Sequence, residues 1–180
     1  MISALIAARA QKYGVNDFFT FYNTNNLLLR MSIEKVINQT KFRNEHHRMS
    51  TNLIYTYNWM MEQYKKFFEK ADLTPQQYNI LRILRGAGHA LSTLQIRQRM
   101  LDKMSDTSRI VDRLMKKGLA EKAVSKSDRR LVDVTISEKG LALLDKLDAY
   151  ADEIDSPLTS LSEAEARIMN DLLDKLRRPA

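Results

Sequence analysis

Apolar residues recur at steps of three or four along most of this chain, the mark of helices that bury one face. Across 41–70 the positions Phe42, His46, Met49, Leu53, Tyr57, Met60, Tyr64 and Phe67 keep that step and predict one long helix. Across 73–86, Thr74-Pro75-Gln76-Gln77 supplies an N-cap, a first-turn Pro and a capping-box Gln. Its core side is either Tyr78, Leu81 and Leu84 or Ile80, Ile83 and Leu84, and Gly86 and Gly88 end it. A shorter helix over 92–101 opens with Ser92 and Gln95 at the same capping spacing. Asp102-Lys103-Met104 breaks the pattern. A further helix begins at Ser105, with Asp106 in its first turn, and stops at Gly118.

Beyond Gly118 the period shortens to two. Strands are expected over 119–124 and 131–136, with Val132, Val134 and Ile136 on one face. His89-Ala90-Leu91 is expected as a short third strand beside them. Helical spacing resumes after Ser137 through Leu141, Leu144, Leu147, Ala151 and Ile154, until Pro157 breaks it. Ser162 and Glu165 form another capping box, and Met169, Leu172, Leu173 and Leu176 give the last helix its apolar face.

The helix from Ser105 carries two chemistries. Thr107, Ile110, Val111, Leu114 and Met115 share one side, while Ser105, Arg109, Asp112 and Lys116 form the opposite stripe, flanked by Ser108 and Arg113. Asp112 lies three residues from Arg109 and four from Lys116, so pairing can neutralise it. A short helix precedes this one at helix-turn-helix spacing. The tip between the two strands reads Ser125-Lys126-Ser127-Asp128-Arg129-Arg130, where a generic hairpin would carry Asn-Gly. A basic tip beside a polar-faced helix suits a polyanion that meets both. The fold class that follows is mostly α with a small β-hairpin wing: a winged helix-turn-helix DNA-binding core plus a helical region, whose long stripe over 41–70 is either a local core face or an oligomer seam.

Charge agrees with that face. The chain of 180 residues carries a formal net charge of +7. Residues 97–130 hold eleven Lys or Arg against five acids, whereas 137–180 hold six against ten. The positive excess is therefore concentrated where nucleic acid would be met. Cysteine is absent, which excludes disulfides and thiolate metal sites. His46 and His47 with nearby acids are the weak metal candidate, and no metal or cofactor is expected. No Gly-rich phosphate loop, nucleophile elbow or two-His zinc spacing occurs, so an enzyme is not expected. No run reaches the ~20 apolar residues of a membrane helix, and a cytoplasmic protein with no membrane partner is the expectation.

At 92–140 the motifs together resemble the MarR family (multiple antibiotic resistance regulators). Ser108-Arg109-Ile110-Val111-Asp112-Arg113-Leu114 and then Lys116-Lys117-Gly118-Leu119 resemble its recognition helix and the step into the wing. Asp128-Arg129-Arg130-Leu131-Val132-Asp133-Val134-Thr135-Ile136-Ser137 resembles its wing pattern. The resemblance implies a homodimeric transcription regulator, often a repressor, bound to a pseudo-palindromic double-stranded DNA operator and often released by a small aromatic effector. It makes the helical region a helical dimerisation region. It places Ser105, Thr107, Ser108, Arg109, Arg113 and Lys116 on the recognition helix, although the helical wheel turns Thr107 inward. It places Lys126, Asp128, Arg129 and Arg130 on the wing, with Arg130 directed to the minor groove and Asp128 bracing it. It also implies a ligand crevice at the aromatic and Met-rich stretch Tyr57, Trp59, Met60, Met61 and Tyr64.

Four regions are expected: an extension outside the family pattern at 1–30, an N-terminal dimerisation helix region at 31–72, the winged helix-turn-helix at 73–137 and C-terminal dimerisation helices at 138–180. Met31 is an alternative native start. Two rival functions stay open: a sequence-tolerant architectural DNA-binding protein, and a protein-interaction module that kept the winged helix fold.

Overall fold

The structure, a computed structural model, describes residues 32–124 and 132–178. The expected extension at 1–30 and the alternative start at Met31 lie outside the described residues. The chain divides into two units, one ending at Tyr57 and one beginning at Asn58.

In the first unit, α1 spans Ile33–Val36. Its Glu34 meets Arg48, with Oε1 2.6 Å from Nε, at the start of α2. The long helix α2 spans Glu45–Glu69 and crosses the boundary between the units. It begins four residues later than the pattern at 41–70 predicts. Asn44 accepts from the His47 amide at 2.9 Å and so satisfies a donor at the helix start.

The second unit is built on α3 (Pro75–Ala87), α4 (Thr93–Arg99) and α5 (Thr107–Lys116). Thr74 and Gln77 form the expected capping box, as do Ser92 and Gln95. Gly88, in the left-handed region at φ 66°, ends α3, while Gly86 lies inside the helix. Both sequence-based core sides of α3 contribute. Ile80, Leu81 and Leu84 are buried, and Tyr78 and Ile83 pack at their margin. These residues join Phe67 and Phe68 of α2, Ile96 and Met100 around α4, and Val111 and Leu114 of α5 in one apolar cluster. Phe68 stacks on Tyr78 with ring centroids 4.3 Å apart.

The three strands are β1 (Leu91–Ser92), β2 (Ala120–Val124) and β3 (Val132–Ile136), in the order β1-β3-β2 with both pairings antiparallel. The first strand lies two residues later than expected, because Leu91 and Ser92 pair with Val134 and Asp133. Val134 is buried and closes the core over α3.

After the sheet come α6 (Glu138–Asp148) and α7 (Ala151–Asp155). The helix breaks at Ala149-Tyr150, before Pro157. Pro157 lies instead in a 3-10 turn at Ser156–Leu158, where its missing N–H costs nothing. Arg85 of α3 meets Asp148 of α6 at 2.7 Å and Arg82 meets the same carboxylate at 3.0 Å. The last helix, α8 (Glu163–Leu176), opens with the Ser162–Glu165 capping box and contains no buried residue. No helix among the described residues is long and apolar enough to cross a membrane.

The start of α6 is held tightly. Ser137 accepts from the Gly140 amide at 3.0 Å and donates to the Gly118 carbonyl at 2.7 Å. A Cβ at Gly140 would stand 2.3 Å from the Leu119 carbonyl oxygen and 2.8 Å from Ile136 Cγ1, so backbone would have to move. Gly86, by contrast, has open space around it. Gly140→Ala is expected to destabilise the fold by ~1–3 kcal/mol, as overpacking does. Gly86→Ala is expected to stabilise it by ~0.5–1 kcal/mol, as Ala in place of a helical Gly does. Urea unfolding midpoints of the two variants check both signs.

Candidate nucleic-acid interface

The outward face of α5 is set by what its inward face must bury. Val111 and Leu114 enter the core. Thr107 is only 5% exposed, and its hydroxyl donates to Met100 Sδ at 3.3 Å. Thr107 is therefore a correction to the expected reading set, because its polar atom is spent inside the fold. Ser108, Arg109, Asp112, Arg113 and Lys116 are exposed on the other side.

The approach to α5 also differs from expectation. The helix begins at Thr107 rather than Ser105, and Asp106 is its N-cap, accepting from the Arg109 amide at 3.1 Å. Its second oxygen stands 4.0 Å from Arg109 Nε. Arg109 thus leans towards Asp106 rather than Asp112. Among the described residues Asp112 has no ion-pair partner.

Ser105 belongs to the turn between α4 and α5, which Asp102 ties together. One Asp102 oxygen accepts from the Met104 amide at 2.9 Å, and the other accepts from the Ser105 hydroxyl. The Ser105 hydroxyl, followed by the Met104 amide, holds the Asp102 carboxyl below the usual aspartate range. Leu101 is anchored from below, its amide donating to Asn79 Oδ1 at 3.1 Å. The Lys103 ammonium donates to the carbonyl of Gln98 and so satisfies the C-terminal end of α4.

Not every cation on this face is free. Lys117, just beyond α5, sits 2.9 Å from Asp72 Oδ2, and its own carbonyl accepts from Lys139 Nζ at 2.8 Å. It is a structural residue. Gly118 follows at φ 70° and lets the chain turn from helix to strand. The expected wing residues Lys126, Asp128, Arg129 and Arg130 lie outside the described residues.

The expected ligand residues divide. Tyr57 and Trp59 are exposed, Met60 and Met61 are half-buried, and Tyr64 packs against the core. Burial raises the Tyr64 phenol above its ordinary value, with Asp155 adding to the effect. None of the five lines either of two clefts in the second unit. One, of about 470 Å³, lies among Glu69, Asp72, Leu73, Thr74, Gln77, Arg113, Lys116 and Lys117. The other, of about 290 Å³, shares Asp72 and Lys117 with it and is lined also by Ala71, Leu119, Leu143 and Lys146.

Three packed helices, the last with a polar outer face, and a three-stranded antiparallel sheet define the winged helix-turn-helix fold of DNA-binding proteins. The MarR family model matches residues 71–131. The transcriptional regulator MhqR of Bacillus subtilis is 30% identical over 121 residues, covering 67% of this chain and 83% of MhqR. A MarR mutant from E. coli, complexed with operator DNA, shares the fold with a TM-score of 0.69 at 19% identity, covering 77% of this chain and 100% of that one. BpsR of Bordetella bronchiseptica, whose DNA binding is regulated by 6-hydroxynicotinic acid, is 25% identical with a TM-score of 0.63, covering 73% of this chain and 99% of BpsR. The chain belongs to the MarR family and is a DNA-binding transcriptional regulator of that type.

The lowered Asp102 carboxyl gives the turn a pH signature. Its folded pKa lies below the unfolded one, so its stabilisation is present above pH ~4 and is lost as pH falls through the folded value. Asp102→Asn keeps an acceptor but removes the titration. The stability gap between wild type and this variant should be widest near neutral pH and narrow on acidification. Urea midpoints from neutral to acid pH read it; a gap independent of pH would contradict the assignment.

Proposed function

We propose that the protein is a homodimeric repressor that binds a pseudo-palindromic operator and releases it on binding a small aromatic ligand. The observation that carries the DNA-binding part is the outer face of α5, where Ser108, Arg109, Arg113 and Lys116 are exposed while Thr107, Val111 and Leu114 are buried behind them. In this reading the N-terminal end of α5, with Ser108 and Arg109, meets base edges in the major groove, and Ser105 in the turn before it accepts there through the oxygen whose proton goes to Asp102. Arg113 and Lys116 follow the groove wall towards phosphate. Arg130 enters the adjacent minor groove, Asp128 orients its guanidinium through a forked hydrogen bond, and Lys126 and Arg129 face the backbone.

The dimer is supported by apolar surface that a lone chain leaves in water. Ile168, Met169, Leu172 and Leu176 of α8 are all exposed, as are Met49, Ile54 and Tyr57 of α2. Apolar side chains left exposed along one helix in this number support an assembly surface. The ligand reading is supported by the regulation of BpsR by 6-hydroxynicotinic acid. It is also supported by the exposed rings of Tyr57 and Trp59, which offer flat apolar surface to an aromatic anion or phenol. Such an effector works only if it binds the DNA-incompetent state more tightly. A panel of phenolic acids titrated against the protein–operator complex tests it, and release by none would leave the protein an unliganded repressor.

A second DNA-binding reading, a sequence-tolerant architectural protein, shares the basic face. It differs in binding random and selected duplexes alike as salt is raised.

Two outcomes are expected. Sedimentation at micromolar concentration should show a dimer, and its operator should have half-site centres ~10 bp apart. Leu172→Glu should shift the protein towards monomer and weaken binding to the full operator. A wild-type monomer with full DNA affinity would overturn the assembly. In fluorescence anisotropy, Arg109→Ala and Arg130→Ala should each weaken operator binding by ~1–3 kcal/mol with little change in melting temperature. Asp128→Ala should weaken it less, and Arg129→Ala should chiefly reduce the salt slope. If the loss at Arg130 tracks a drop in melting temperature, the wing is scaffold.

A further inference from the structure

The most exposed large apolar side chain of the described residues lies beside the reading helix. Met104 is 94% exposed and Leu101, three residues earlier, is 87% exposed. Scattered apolar residues on a surface are ordinary. This pair is not scattered: it occupies the tight turn that delivers the chain into α5. Exposed cations flank it in the chain, Arg97 and Arg99 on α4 and Arg109 on α5.

The turn is also built to hold Met104 where it is. The Asp102 carboxylate accepts from the Met104 amide and from the hydroxyl of the next residue, Ser105. Asp106 then caps the helix through the Arg109 amide. Leu101 is tied to Asn79 of α3, and Lys103 closes the end of α4. The Asp102, Lys103 and Ser105 side chains thus each make a hydrogen bond within the turn or to the end of α4. What remains pointing outward is an unbranched thioether on a fixed backbone, one residue before Ser105.

In a helix-turn-helix the N-terminal end of the second helix approaches the base edges. The apolar feature that a major groove offers is the 5-methyl group of thymine. The guanidiniums on the two flanking helices suit phosphates. Resting on the DNA-binding reading above, we propose that Met104 reads a thymine 5-methyl group in each half-site of the operator. Its flexible, polarisable side chain can follow the methyl without a directional bond. Selectivity against cytosine then comes from apolar contact, separately from the hydrogen bonds of Ser108 and Arg109.

The test removes the methyl from the DNA rather than only the side chain from the protein. A duplex is first selected from random DNA by the full chain. Symmetry-related thymines are then replaced by deoxyuridine, one pair at a time, and binding is measured for wild type, Met104→Ala and Met104→Leu. One thymine position should weaken wild-type binding roughly fourfold per half-site, the scale of one buried methyl group. Met104→Ala should bind the thymine duplex as weakly as wild type binds the deoxyuridine duplex, and should not distinguish the two. Met104→Leu should retain most of the distinction. If every deoxyuridine position affects wild type and Met104→Ala alike, the proposal falls while specific binding stands. If Met104→Ala binds every duplex as wild type does, the patch serves another partner and the proposal falls. If no duplex is selected at all, the DNA-binding reading fails first and takes this one with it.

Discussion

The burial of Val111 and Leu114 of α5 against α3 and α4 is the constraint on which the rest depends. Ile80, Leu81, Leu84, Ile96 and Leu114 are essentially inaccessible to water. A core this dense fixes the rotation of α5 about its own axis, because any turn would lift a large aliphatic side chain into solvent. The rotation decides which polar residues point outward. Arg109 and Arg113 are exposed because they alternate with the buried positions at helical spacing, and no separate interaction is needed to aim them.

Polar contacts act at the ends of the elements. Capping boxes start α3, α4 and α8, and single side-chain caps at Asp106 and Ser137 start α5 and α6. Each satisfies amide donors that a helix start leaves without a partner. Their common effect is to set where the helices begin, and so where the turns lie. The turn before α5 shows the benefit to function. Asp102 spends its carboxylate on Met104 and Ser105, so the seven residues between α4 and α5 are tied together at the approach to α5. Lys117 plays the corresponding part at the other end of α5, where Asp72 and the Asp72 carbonyl hold its ammonium.

The energetic balance differs between the second unit's core and its last helix. The core buries its large aliphatic side chains almost completely, while α8 contains no buried residue and leaves Ile168, Met169, Leu172 and Leu176 exposed. A helix of 14 residues is only marginally stable alone in water. If a second copy of the chain covers that face, as the proposed dimer requires, helix and assembly are stabilised together.

Much of this was legible in the residue pattern, for physical reasons that can be named. Caps are local, so the boxes at Thr74, Ser92 and Ser162 could be read from four residues each. The inner face of α5 follows from a 3.6-residue period, and the turn after it follows from Gly118. What depended on tertiary structure was the choice among equivalent local solutions. Both apolar stripes of α3 are used, because helices and sheet approach it from more than one side. Asp106 serves as a cap rather than as a first-turn residue, and Arg109 leans towards it rather than towards Asp112. The helix after the sheet ends before Pro157, not at it. Thr107 could be placed inward by periodicity, but only packing supplied Met100 as the partner of its hydroxyl. Lys117 looked like part of the basic face until Asp72, 45 residues away, claimed it. Periodicity reports which side of an element is buried; the identity of its partners is a property of three-dimensional proximity, which no local pattern encodes.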